Sequence, residues 1–128
     1  MLHITSLYAS LLALLIIFLA FKVVRFRLTK QVGIGDNGDK KGLLAIRTHA
    51  NAVEYVPILI LLMAIYEING GSSLVLNIIG VLAVIARILH AFGLSRSSGK
   101  SNPRFIGTGL TWSIIITLAV LNILKYIL

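Results

Sequence analysis

A chain of 128 residues that is 58% hydrophobic and only 12% charged, with a mean hydropathy of +0.97, lies outside the soluble globular class. At about 20 apolar residues per crossing, that length accommodates one domain of four membrane spans and little else. The net charge of +8 would point to nucleic acid in a soluble protein, but the basic residues stand at the ends of apolar runs, where they set topology, so nucleic-acid binding is set aside.

The pattern predicts an all-α integral membrane protein, a four-helix bundle running up-down-up-down over residues 1–128, with spans at about 4–26, 43–68, 73–94 and 104–127. The first run is apolar on every side from Leu7 to Phe21, with Thr5 or Ser6 as candidate N-caps. It has no basic segment ahead of it, and Lys22, Arg25 and Arg27 follow its apolar core, so it reads as a retained span and not as a signal peptide. These cations are expected to snorkel to the phosphate layer; the alternative is that one of Arg25 or Arg27 points sideways into a site shared with a neighbouring chain.

Thr29 to Gly42 mixes glycine, Asx residues and charge. Its GIGDNGD segment superficially resembles a phosphate or calcium loop, yet it lacks a preceding strand, a GK[ST] sequence and a Glu at the calcium-loop spacing; a surface turn is expected.

The second run carries the main functional signal. Within RTHANAVEYVP, Arg47, Asn51 and Glu54 stand at i, i+4 and i+7, on one helical face, inside an otherwise apolar stretch. An Arg or a carboxylate in hydrocarbon costs roughly 2.5–3.5 kcal/mol or more, so such residues are expected to face a partner, a cavity or a ligand. Pro57 removes the amide donor to the Val53 carbonyl and predicts a kink beside Glu54 and Tyr55. His49 reads as a solvated residue at a helix end.

A short turn at Asn69–Ser73 makes the second and third helices antiparallel neighbours. The third carries Arg87 and His90, three residues apart on one face. Measured from the basic ends of their helices at a rise of about 1.5 Å per residue, Glu54 and Arg87 fall at about 18 Å and 12 Å, and the length of an arginine side chain predicts an Arg87–Glu54 contact.

Ser95 to Asn102 is a polar, basic loop, after which Pro103 is placed to open the fourth helix. Arg104, in that first turn, opposes the helix dipole, which points to an external anionic partner. Gly80, Gly107 and Gly109 are candidates for close helix contact. Basic residues crowd the first and third loops and are missing from the second, so the positive-inside rule places both termini on the non-cytoplasmic side.

Arginines take carboxylates in bidentate fashion, Asn takes an amide and Glu takes an α-amine, so this inventory suits a small, charged, peptide-like ligand. It does not suit a metal: the chain has no cysteine, and His49 and His90 stand on different helices without carboxylates at ligand spacing. Nor does it form a Ser/His/Asp triad.

The pattern R-x-x-x-N-x-x-E-Y-x-P at Arg47, Asn51, Glu54, Tyr55 and Pro57 resembles the MAPEG family, the membrane-associated proteins of eicosanoid and glutathione metabolism. Arg87 and His90 in the third span, the GD-containing first loop, and Pro103-Arg104 ahead of the fourth span add to the resemblance, which covers the whole chain. It implies a homotrimer that binds glutathione as co-substrate at subunit interfaces, and a transferase or peroxidase acting on a lipophilic small molecule or lipid. It further implies that Arg47, Asn51, Glu54, Tyr55, Arg87 and His90 contact glutathione, that Arg25 or Arg27 reaches in from the adjacent subunit, and that Arg104, or else Lys100 or Arg96, is the catalytic cation at the thiolate. Leu94 departs from a tyrosine found in several members, and Lys100, Ser101 and Asn102 replace an arginine ahead of Pro103. The alternative is a non-catalytic member that keeps the fold as a membrane binding or scaffold protein. The bacterial inner membrane is the expected location.

Overall fold

The computed structural model describes residues 1–127, and its regular structure is helical throughout: α1 (His3–Lys30), α2 (Lys40–Ile68), α3 (Ser73–Arg96) and α4 (Asn102–Ile127). Each helix is long and apolar enough to cross a membrane. The chain is an integral membrane four-helix bundle, as its sequence predicts.

The helices are not equivalent. α2 and α3 each pack against the other three helices, whereas α1 and α4 do not touch each other. The central pair therefore carries the core, and the outer pair flanks it. Leu12, Leu59, Met63, Leu76, Ala83 and Leu118 meet in the middle of the bundle with essentially no exposure.

Small residues set how closely the helices approach. At Gly107 on α4, a Cβ would sit 2.6 Å from the carbonyl oxygen of Ala86 and the amide nitrogen of His90, so only glycine lets α4 lie this near α3. Gly80 does the same for the Tyr8 ring of α1, and the Tyr8 hydroxyl donates to Asn77 Oδ1 at 3.1 Å. Gly109, in contrast, faces open space. Only one of that expected pair packs inside the chain.

In hydrocarbon a polar group needs a partner within the protein, and three threonine hydroxyls on the helices find one locally. Thr48 donates to the carbonyl of Leu44 at 2.7 Å, Thr111 to that of Gly107 at 2.7 Å and Thr108 to that of Arg104 at 2.9 Å.

The helix ends differ from expectation in one respect. Neither Thr5 nor Ser6 caps α1; Ser6 instead donates its hydroxyl to His3. The cap comes from the last turn of α2, where the Glu67 carboxylate accepts the amides of Ile4 at 2.9 Å and Thr5 at 2.7 Å. A full negative charge at the positive end of α1 satisfies two orphan donors and interacts favourably with the helix dipole. Glu67 is thus a second carboxylate within the helical body, beside Glu54. Its role is structural.

At the other end, Asp36 and Asp39 organise the α1–α2 loop. Asp36 Oδ1 accepts the Gly38 amide, and Gly35 and Gly38 both take φ of +72°, the left-handed region expected of a glycine turn. Asp39 is the N-cap of α2, accepting the Lys41 amide at 2.8 Å and pairing with Lys30 at 3.1 Å. The helix continues through Pro57 without a break.

Two outcomes follow. Gly107→Ala is expected to lower unfolding stability in detergent by about 1–3 kcal/mol, because a backbone carbonyl and amide must move to admit the methyl group; Gly109→Ala is expected to leave it within about 0.5 kcal/mol. The Lys41 amide and the Lys30 ammonium hold the Asp39 carboxyl below its usual range. With the folded pKa depressed, its contribution is present above the unfolded value and lost as pH falls through the folded one. The protection factor of the Lys41 amide against hydrogen exchange should therefore fall only in acid, and Asp39→Asn should remove that pH dependence.

Candidate functional site

Helical spacing and the α2–α3 contact bring most of the predicted residues into one patch. Arg87 projects from α3 and is 1% exposed, the largest fully buried side chain described. Its Nη2 donates to Asn51 Oδ1 of α2 at 2.7 Å and lies 3.5 Å from His90 Nδ1, one turn along α3. The guanidinium also stands 5.6 Å from the centre of the Tyr55 ring, within cation–π range. A guanidinium only donates, so the His90 nitrogen that faces it is the ring's acceptor nitrogen.

This corrects the expected Arg87–Glu54 pair. Arg87 pairs with the neutral Asn51, and Glu54 Oε1 instead lies 3.8 Å from Arg47 Nη2 on its own helix. The reason is rotation about the α2 axis: Asn51 and Tyr55 lie toward α3, while Arg47 and Glu54 lie on the outer side of the polar stripe. A one-dimensional depth estimate does not contain that angle.

Arg47 and Glu54 do not sit in a cavity between α2 and α3. Their side chains are 56% and 51% exposed on the surface of the single chain. In water this would be an ordinary surface ion pair, but on a spanning helix it places two charges where acyl chains would otherwise lie.

The basic end of the bundle supplies the remaining candidates. Arg104, in the first turn of α4, is half-buried, with its backbone against Gly93 of α3 at the same end as His90. Arg25 is exposed and Arg27 half-buried; among the described residues no hydrogen bond or ion pair joins either to the Arg87 cluster. α1 therefore does not deliver them to this site within one chain. Arg96 stacks on Phe92 at 3.9 Å, and Lys100 is exposed in the α3–α4 loop.

Two buried polar atoms at this end of the bundle lack a partner, Arg87 Nε in the patch and Ser101 Oγ beside Gly93, and Arg27 Nε on α1 is a third, apart from the patch. Buried donors of this kind cost about 1–3 kcal/mol each when unmatched, so they mark where an acceptor would be bound. In the sequence Ser101 stands out only as part of the Lys100–Asn102 departure from the family pattern, with no binding role attached to it. Its packing against Gly93 sets it apart.

The fold and this patch define a four-span membrane protein whose buried arginine and outward ion pair lie on the two central helices. The chain belongs to the MAPEG family, whose model matches residues 5–124. It is also 36% identical over 120 residues to the inner membrane protein YecN of Escherichia coli strain K12, a match covering 94% of this chain and 90% of that protein. YecN of Escherichia coli O6:H1 matches over the same extent.

The Arg87–Asn51 bond yields a sharp expectation. Asn51→Ala leaves a buried cation without its acceptor and should cost about 2–3 kcal/mol in detergent unfolding, whereas the double variant Asn51→Ala/Arg87→Met should recover much of that loss. Additive losses in the double-mutant cycle would show that the two side chains do not depend on each other.

Proposed function

We propose that this protein is a glutathione-dependent transferase or peroxidase of the bacterial inner membrane, active as a homotrimer. The observation that carries the reading is the exposed Arg47–Glu54 pair on a spanning helix. Two charges held against oil need cover, and a neighbouring subunit together with a zwitterionic guest provides it. Membership of the MAPEG family and similarity to an inner membrane protein support the class and the location.

The residues suit the guest. Arg47 and the unpartnered Arg87 Nε are donors for its carboxylates, Glu54 is an acceptor for its α-amine, and Asn51 and Tyr55 border the same patch. His90 backs Arg87 from α3. Arg25 or Arg27 arrives from the adjacent protomer, which accords with their separation from the cluster in a single chain.

Glutathione supplies the thiol that this cysteine-free chain lacks, either to displace a leaving group from a lipophilic electrophile or to reduce a lipid hydroperoxide to its alcohol at the expense of two thiols. Arg104 holds that sulfur as the anion. Lowering a thiol pKa of about 8.5 by two units takes about 2.7 kcal/mol, and one guanidinium at about 4 Å supplies on the order of 4 kcal/mol at an effective dielectric near 20. A single arginine suffices.

A second reading, a non-catalytic binding or scaffold protein, draws on the fact that Arg87 with Asn51 and Arg47 with Glu54 are already paired in the chain. The two part in one experiment. If the first holds, millimolar glutathione raises the melting temperature of the detergent-purified protein, Arg47→Ala and Glu54→Ala abolish the rise, and Arg104→Ala lowers turnover of a model electrophile on the order of 100-fold near neutral pH. No thermal shift, with trimer loss in Arg47→Ala, is the outcome of the second.

A further inference from the structure

All four carboxylates of the chain have work that leaves most of its twelve Lys and Arg residues uncompensated. Asp36 and Asp39 cap the first loop, Glu54 pairs with Arg47, and Glu67 caps α1. Among the described residues the only ion pairs are Lys30–Asp39 and Arg47–Glu54. Two of the unpaired cations, Lys22 of α1 and Lys41 of α2, line one cleft of about 320 Å³, away from the Arg87 cluster.

The cleft has two kinds of wall. Leu19, Leu44 and Ala45 make it apolar, while the two lysines and Ser95 of α3 bring polar groups to it. Its size is at the lower end for a small-molecule site. Lys22 lies eight positions before the end of α1, about 12 Å along the axis, so its ammonium is within reach of the bilayer boundary along its flexible stem. It is held 5.1 Å from the centre of the Phe18 ring, a side chain 56% exposed on the outer surface of α1. Lys22 and Lys41 both line this half-apolar cleft, and neither makes an ion pair among the described residues, since the nearby Asp39 carboxylate is taken by Lys30 and the Lys41 amide; that arrangement calls for an anion from outside. The apolar wall and the exposed Phe18 beside it call for one that carries hydrocarbon.

We propose that the α1–α2 cleft binds the phosphodiester headgroup of an anionic phospholipid, with Lys22 and Lys41 on the phosphate and Leu19, Leu44 and Ala45 against the upper acyl chain. Ser95 borders the headgroup. Thr48 completes the wall through its methyl group, its hydroxyl being spent on Leu44. This site is separate from the Arg47–Glu54 patch, and its occupant need not be a substrate.

The test uses the full chain, purified in an uncharged detergent and delipidated, with phosphatidylglycerol, phosphatidylcholine and inorganic phosphate as probes. Phosphatidylglycerol should raise the melting temperature, and phosphatidylcholine and phosphate should not. Lys22→Gln and Lys41→Gln should each weaken the apparent affinity about five-fold, the effect expected for one cation near an anionic headgroup; Lys125→Gln, at the opposite end of the bundle, should leave it unchanged. An equal shift with phosphate alone, or full retention in the Lys22→Gln/Lys41→Gln double variant, overturns the proposal. Should that variant not fold, a photoactivatable phosphatidylglycerol with its reactive group in the headgroup decides on the wild-type chain: labelling within residues 19–26 and 41–48 supports the site, and labelling confined elsewhere refutes it.

Discussion

A guanidinium almost wholly withdrawn from solvent, in a bundle made only of helices, is the constraint on which this molecule turns. Arg87 cannot be left bare, and the backbone of a helix in oil has no spare acceptors to offer it. The acceptor comes from Asn51 on the facing helix, and the aromatic face of Tyr55 and the imidazole of His90 complete the surroundings. Satisfying one cation therefore fixes the rotation of α2 against α3. Those two helices are also the pair on which α1 and α4 lean, so a polar requirement near one end of the bundle propagates into the placement of every span.

The same rotation explains the outward ion pair. Once Asn51 and Tyr55 are turned toward α3, residues at Arg47 and Glu54 are carried to the outer side of α2, where nothing in the chain covers them. The inner network is met by the chain except at Arg87 Nε, and the outer pair is left uncovered. Arg87 belongs to folding in the first instance, and Arg47 and Glu54 to whatever meets that face.

The spans were legible because about 20 apolar residues flanked by basic or glycine-rich loops leave few alternatives, and the observed helices contain the expected runs almost residue for residue. The polar stripe was legible for the same reason: a charge in an apolar helix stands out. Pairing was not. Axial depth can be computed from a sequence, but whether Arg87 meets Glu54 or Asn51 depends on how two helices turn about their axes, an angle that the spacing of residues along each helix does not contain. The cap of α1 was hidden for a related reason, since its donor and acceptor lie more than sixty positions apart. Local sequence offered Thr5 and Ser6, and tertiary structure used Glu67.

That clasp has a bearing on biosynthesis. The leading amides of the first span lack this acceptor, and are left to water, until residue 67 has left the ribosome and the second span has turned back. A truncation after the first crossing would strand an open helix end that no nearby side chain can close.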